Sequence, residues 1–158
     1  MKNANVITRE LNNFLRQFGV IAHYGNEFQW YIDTNKIEWC EITKDMQKID
    51  KVFKSYLKKE LGLKYNCNDF IISILHEVGH YFTDNTLTYN QAKYCDRIKE
   101  ELDSRQDELT IEDFILYFNL IDERKASQWA VDYINNHRKE IKDFTKRLQP
   151  KLEKLYSL

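Results

Sequence analysis

Apolar side chains first recur every three or four residues, as Ile7, Leu11, Phe14, Leu15 and Phe18, predicting a helix over residues 5–18. The period then shortens. Val20, Ala22 and Tyr24 alternate with their neighbours, and the stretches Phe28 to Ile32 and Ile37 to Ile42 flank a turn-like Asp33-Thr34-Asn35-Lys36. That pattern predicts a small antiparallel sheet with a hairpin. Helical spacing returns over 46–61 through Ile49, Val52, Phe53, Tyr56, Leu57 and Leu61.

Residues 71–82 are apolar nearly all round: Ile71, Ile74, Leu75, Val78 and Phe82 form a stripe, and Phe70 and Ile72 widen it. Such a helix is central and buried, with Asn68 or Asp69 as its N-cap. A polar helix over 88–105 follows, anchored by Cys95, Ile98 and Leu102. Thr110 with Asp113 has the spacing of a capping box opening another helix. From Asp122 a further helix carries Ala126, Trp129, Ala130, Tyr133 and Ile134 on one face. The last, over 138–156, shows Ile141, Phe144, Leu148, Leu152 and Leu155, with a kink expected at Pro150.

The fold class is therefore α+β and mostly helical, with a small antiparallel sheet. Four glycines and one proline in 158 residues leave no linker or repeat, so we read one domain over 1–158. Within it, 1–65 holds the first helix, the sheet and the next helix, 66–137 the apolar helix and those that follow, and 138–158 the terminal helix.

Charge narrows the function. Twenty-four basic against 25 acidic residues give a net charge of −1, which argues against a nucleic-acid surface. The terminal helix carries Arg138, Lys139, Lys142, Lys146, Arg147, Lys151 and Lys154, read as a solvated face over a packing stripe. No apolar run is long enough to span a membrane. Cys40, Cys67 and Cys95 are odd in number and far apart, which suits a reducing compartment and a cytoplasmic location rather than a disulfide framework.

The candidate chemistry lies in the apolar helix, which contains His76-Glu77-Val78-Gly79-His80. Imidazoles four residues apart share one helical face and can hold one zinc ion, with Glu77 placed to take a proton from water beside it. Catalytic zinc usually takes three protein ligands. The best third candidate is Glu123, at the start of a helix whose Ala126, Ser127 and Ala130 permit close approach to the metal helix. Glu112, Asp113 and His137 compete with it; Asp84 follows His80 too closely on the same helix. Tyr133 and His137 are candidate oxyanion donors, and a substrate could extend along an edge strand around Ile37 to Glu41.

The segment His76-Glu77-Val78-Gly79-His80-Tyr81, with Glu123, Ala126, Ser127, Trp129 and Ala130 at their spacing, resembles the ImmA/IrrE-like metallopeptidases. The Asn35-Lys36-Ile37 turn into a strand is similar to that family as well, so the likeness spans roughly residues 5–135. The resemblance implies a zincin-like (gluzincin) minimal domain built on a central HExxH helix. It implies His76, His80 and Glu123 as zinc ligands and Glu77 as general base. It also implies a zinc endopeptidase encoded by a phage or mobile element, acting on a protein substrate such as a repressor-type DNA-binding protein. Ser127 stands where the family usually has Asn or Asp to orient a metal-bound imidazole, and the family's Leu-Met-Pro ending is replaced by 131–137. The alternative expectation is a protein-binding inhibitor or regulator on the same scaffold, for which the 88–105 helix and the terminal helix would supply a partner surface.

Overall fold

The computed structural model describes residues 2–156. Helix α1 (Lys2–Leu15) runs into a short 3-10 turn, Arg16–Phe18, ended by Gly19 at φ 74°. Three short strands follow, β1 (Ile21–Tyr24), β2 (Gln29–Trp30) and β3 (Lys36–Trp39). The rest is helical: α2 (Lys44–Glu60), α3 (Asp69–Thr83), α4 (Tyr89–Asp103), α5 (Ile111–Asn119), α6 (Ile121–Asn136) and α7 (Arg138–Tyr156), which runs through Pro150. The chain is thus mostly helical with one small sheet, as its patterning predicts. Among the described residues no helix is long and apolar enough to cross a membrane.

Local chemistry accounts for the helix starts. Thr43 accepts from the Met46 N–H, and Asn68 rather than Asp69 caps α3 by accepting from Phe70. Thr88 with Gln91 and Thr110 with Asp113 form reciprocal capping boxes at α4 and α5.

The sheet differs from the expectation. Its order is β1-β3-β2: β2 and β3 make the predicted antiparallel hairpin, with Trp30 opposite Ile37, but β1 runs parallel to β3, with Ala22 opposite Ile37. Alternating side chains mark a strand without giving its direction, and the tertiary route of 25–28 decides it. There the Gly25 N–H donates to the Trp39 carbonyl, and the Asn26 and Glu27 N–H groups donate to the Glu38 carboxylate at 2.8 and 2.9 Å. Tyr31 gives the same carboxylate a short hydrogen bond from its hydroxyl. That bond, with the two backbone donors, outweighs desolvation and holds Glu38 below the usual carboxylate range. Glu38 thereby ties the crossing loop to β3 and leaves β2 on the far side, so β3 is the central strand.

The core surrounds α3, whose Phe70, Ile71, Ile74, Leu75 and Val78 are all buried. Phe82, expected in that stripe, is 39% exposed and stacks on Trp129 instead, because the core ends at the last turn. On one side lie α1, α7 and β3: Phe14 stacks on Phe144 with ring centroids 4.2 Å apart, and Trp39 donates to Thr8. On the other side α6 crosses α3 so closely that a Cβ on Gly79 would stand 2.3 Å from the Ala126 carbonyl oxygen.

That contact is backbone against side chain and cannot be relieved by a rotamer. Gly79→Ala is expected to destabilise the protein by about 1–3 kcal/mol, seen in a thermal melt as a drop of about 2–4 °C per kcal/mol. An unchanged melting temperature would mean that the two helices are not pinned here.

Candidate metal centre

Helix periodicity places His76 and His80 on one face of α3, one turn apart, and the crossing at Gly79 brings the first turn of α6 over them. Glu123 is buried there with both oxygens engaged: Oε1 lies 3.1 Å from His76 Nε2 and Oε2 lies 2.8 Å from His80 Nε2. The two imidazole Nε2 atoms face each other at 3.1 Å. Two ligand atoms each about 2.0–2.1 Å from a tetrahedral ion stand roughly 3.3–3.4 Å apart, so this convergent nitrogen–nitrogen–oxygen set has the size and chemistry of a metal site. Among the described residues, His76, His80 and Glu123 form the one cluster of histidine, cysteine or acidic groups able to hold an ion.

The outer nitrogens are held as well. Ser127 Oγ lies 3.0 Å from His76 Nδ1, and Asp84 Oδ1 lies 2.8 Å from His80 Nδ1. A donor–acceptor pair at Nδ1 turns Nε2 toward the centre and fixes its tautomer. Asp84 follows His80 by four residues as a partner of its ring rather than as a fourth convergent ligand.

The charges explain one another. Burial disfavours charge on His80, yet the Glu123 carboxylate and the Asp84 hydrogen bond outweigh it and push its pKa up to about 11. Burial alone would raise Glu123, but the two imidazoles hold it well below the usual carboxylate range. Glu77 is raised chiefly by desolvation, against the positive field of His76 and His80, and its Oε2 accepts the Trp30 N–H of β2 at 2.8 Å.

Two contributors carry no sequence motif. Lys99 of α4 reaches Asp122 at 2.5 Å and Glu123 Oε2 at 3.0 Å, so the polar 88–105 helix braces the Glu123 carboxylate. Tyr117 of α5 is half-buried beside Glu123, and desolvation with that carboxylate raises it well above its usual value. Periodicity marks both only as helical positions; their convergence is tertiary.

The other expected residues lie elsewhere. Tyr133 bonds Gln17 and Glu140, and His137 stacks on Tyr133 with Nδ1 2.9 Å from its carbonyl oxygen, so neither candidate oxyanion donor is brought to the cluster. Asp113 pairs with Arg105 and caps α5, and Glu112 is exposed. The expected substrate edge around Ile37 to Glu41 falls on β3, which is paired on both sides and is no edge. The edge beside the site is β2.

No family model matches the chain, and no solved structure matches it. Over 138 residues, 86% of this chain, it is 24% identical to part of an isoleucine–tRNA ligase of Bacteroides fragilis. The same identity and coverage hold for the isoleucine–tRNA ligase of Bacteroides thetaiotaomicron. The chain spans 11% of the length of those relatives, and likeness at this level shows no shared activity.

Removing the hydroxyl in Ser127→Ala leaves His76 Nδ1 without its partner and is expected to weaken zinc binding about 10- to 100-fold. Because the proton held by His80 must leave before Nε2 can bind a cation, affinity also falls as pH is lowered. Competition with a chelating dye at pH 6 and pH 8 measures both effects. Equal affinity in the variant and the parent would remove the orienting role of Ser127.

Proposed function

We propose that this chain is a zinc-dependent peptidase with a zincin-like catalytic domain, acting on a protein or peptide. The observation that carries the reading is the pair of Nε2 atoms and the Glu123 carboxylate converging within hydrogen-bond distance, with the Glu77 carboxyl on the same helix and lining the same cavity. His76, His80 and Glu123 would hold the ion, oriented by Ser127, Asp84 and Lys99. When bound, zinc supplies Lewis acidity that polarises a carbonyl and acidifies water.

The chain's own groups do the rest. Glu77, whose carboxyl desolvation raises above its ordinary value, takes the proton of the attacking water and passes it to the departing amine. Its hydrogen bond to Trp30 holds one oxygen and leaves the other for that transfer. Tyr117, with its hydroxyl beside Glu123, is the donor we assign to the developing oxyanion in place of Tyr133 or His137. Strand β2 is the sheet edge beside Glu77 along which an extended substrate would lie, with the Trp30 N–H already given to Glu77. A repressor-type DNA-binding protein is the substrate class that the family resemblance suggests.

Glu77→Gln is expected to retain one zinc per chain and to lose cleavage by about 10²–10⁴-fold, measured as chelator-sensitive hydrolysis of peptides prepared from a bacterial lysate. Cleavage by the variant at the parent's rate would remove the general-base role. Bound zinc without any chelator-sensitive hydrolysis in the parent would leave a binding protein on this scaffold.

A further inference from the structure

Beside the metal-site residues opens a cavity of about 240 Å³. It is smaller than the roughly 300–1,000 Å³ of small-molecule sites and suits a single side chain. His76, Glu77 and Glu123 lie among its lining residues, and Phe28, Met46, Ile49, Phe53 and Phe118 make its wall apolar. One member of the lining does not belong in such a wall. Asp50 of α2 is a carboxylate among these groups, and its Oδ2 is buried without a hydrogen-bond partner. Among the described residues no other buried side-chain oxygen or nitrogen lacks a partner. Lys54, one turn further along α2, gives its ammonium to Asp69 at 2.7 Å.

A carboxylate oxygen that has lost water without gaining a partner is costly. A purely apolar occupant would seal the cavity and worsen that position. An occupant with an apolar stem and a cationic end satisfies both parts, its methylenes against the aromatic wall and its head on Asp50.

We propose that this cavity is the subsite for the substrate side chain flanking the cleaved bond, that Asp50 sets its specificity, and that the preferred occupant is arginine or lysine. The inference rests on the peptidase reading for what the occupant belongs to; the cavity's preference for a long cation stands on Asp50 itself. Desolvation, then the nearby Asp69, push the Asp50 carboxyl up to about 6, against the pull of Lys54. That is the direction expected of a carboxylate whose neighbouring cation is engaged by another acid, and it remains largely ionised at neutral pH. Asp50 would be a specificity residue and no part of the proton-transfer machinery.

The test separates binding from cleavage. N-acetyl-arginine amide and N-acetyl-norleucine amide are titrated into the zinc-loaded full chain and its Asp50→Asn and Asp50→Ala variants, followed by calorimetry and by the resonances of Met46, Phe53 and Phe118. The parent is expected to prefer the arginine probe by about tenfold or more, and both variants to lose that preference. Equal binding of the two probes, a norleucine preference, no arginine binding at millimolar concentration, or a preference that survives in both variants would overturn the proposal. In parallel, cleavage sites in the lysate-peptide library are expected to be enriched in arginine or lysine beside the cut. Cleavage without that enrichment overturns the assignment of the subsite. A retained arginine preference without any hydrolysis supports the cavity's specificity and counts against the peptidase reading.

Discussion

The crossing of α3 and α6 at Gly79 and Ala126 sets the geometry of everything around the candidate metal centre. A glutamate side chain is short, and Glu123 can meet both imidazoles only if its helix backbone comes close to that of the HExxH helix. Gly79 provides the approach by having no Cβ, and Ala126 by having almost no side chain. The same contact lets Ser127, one residue on, reach the outer nitrogen of His76. The placements of Glu123 and of the Ser127 hydroxyl are consequences of one small-residue contact in an otherwise aliphatic and aromatic core.

Burying that many polar groups beside such a core is expensive, and the structure compensates locally. Glu123 is surrounded by the two histidines, the Lys99 ammonium and the Tyr117 hydroxyl, so its charge is met from several directions. Without a metal, a proton on His80 balances the carboxylate; a divalent cation would replace that proton in the same position. Glu77 is set apart from this cluster by a backbone donor of β2, the Trp30 N–H, which ties its carboxylate to the edge of the sheet. Asp50 keeps one oxygen without a hydrogen-bond partner, and this sets it apart from the other acids around the cavity.

The parts legible in the sequence are those written in periodicity. His76 and His80 fall on one face because helical spacing requires it, and Glu123 stood out because alanine and serine beside it announced a close helix contact. The two capping boxes were equally local. What spacing could not supply was the direction of β1, since alternation is the same for parallel and antiparallel neighbours. It also could not reveal Lys99, Tyr117 and Asp50, lone residues on three different helices that tertiary packing turns inward. Tyr133 illustrates the opposite error. It shares a helix with Glu123, but ten residues of α-helix separate them by about 15 Å along the axis, which carries Tyr133 away to Gln17 and Glu140.

X-ray absorption at the zinc edge, on this chain supplemented with zinc and then desalted, reads which atoms surround the ion. The account predicts one zinc per chain in a shell of nitrogen and oxygen at about 2.0–2.1 Å, with the outer scattering of two imidazoles. A protein that retains no zinc would contradict it. So would a sulfur shell at about 2.3 Å, which would move the metal to a cysteine and away from the α3–α6 crossing.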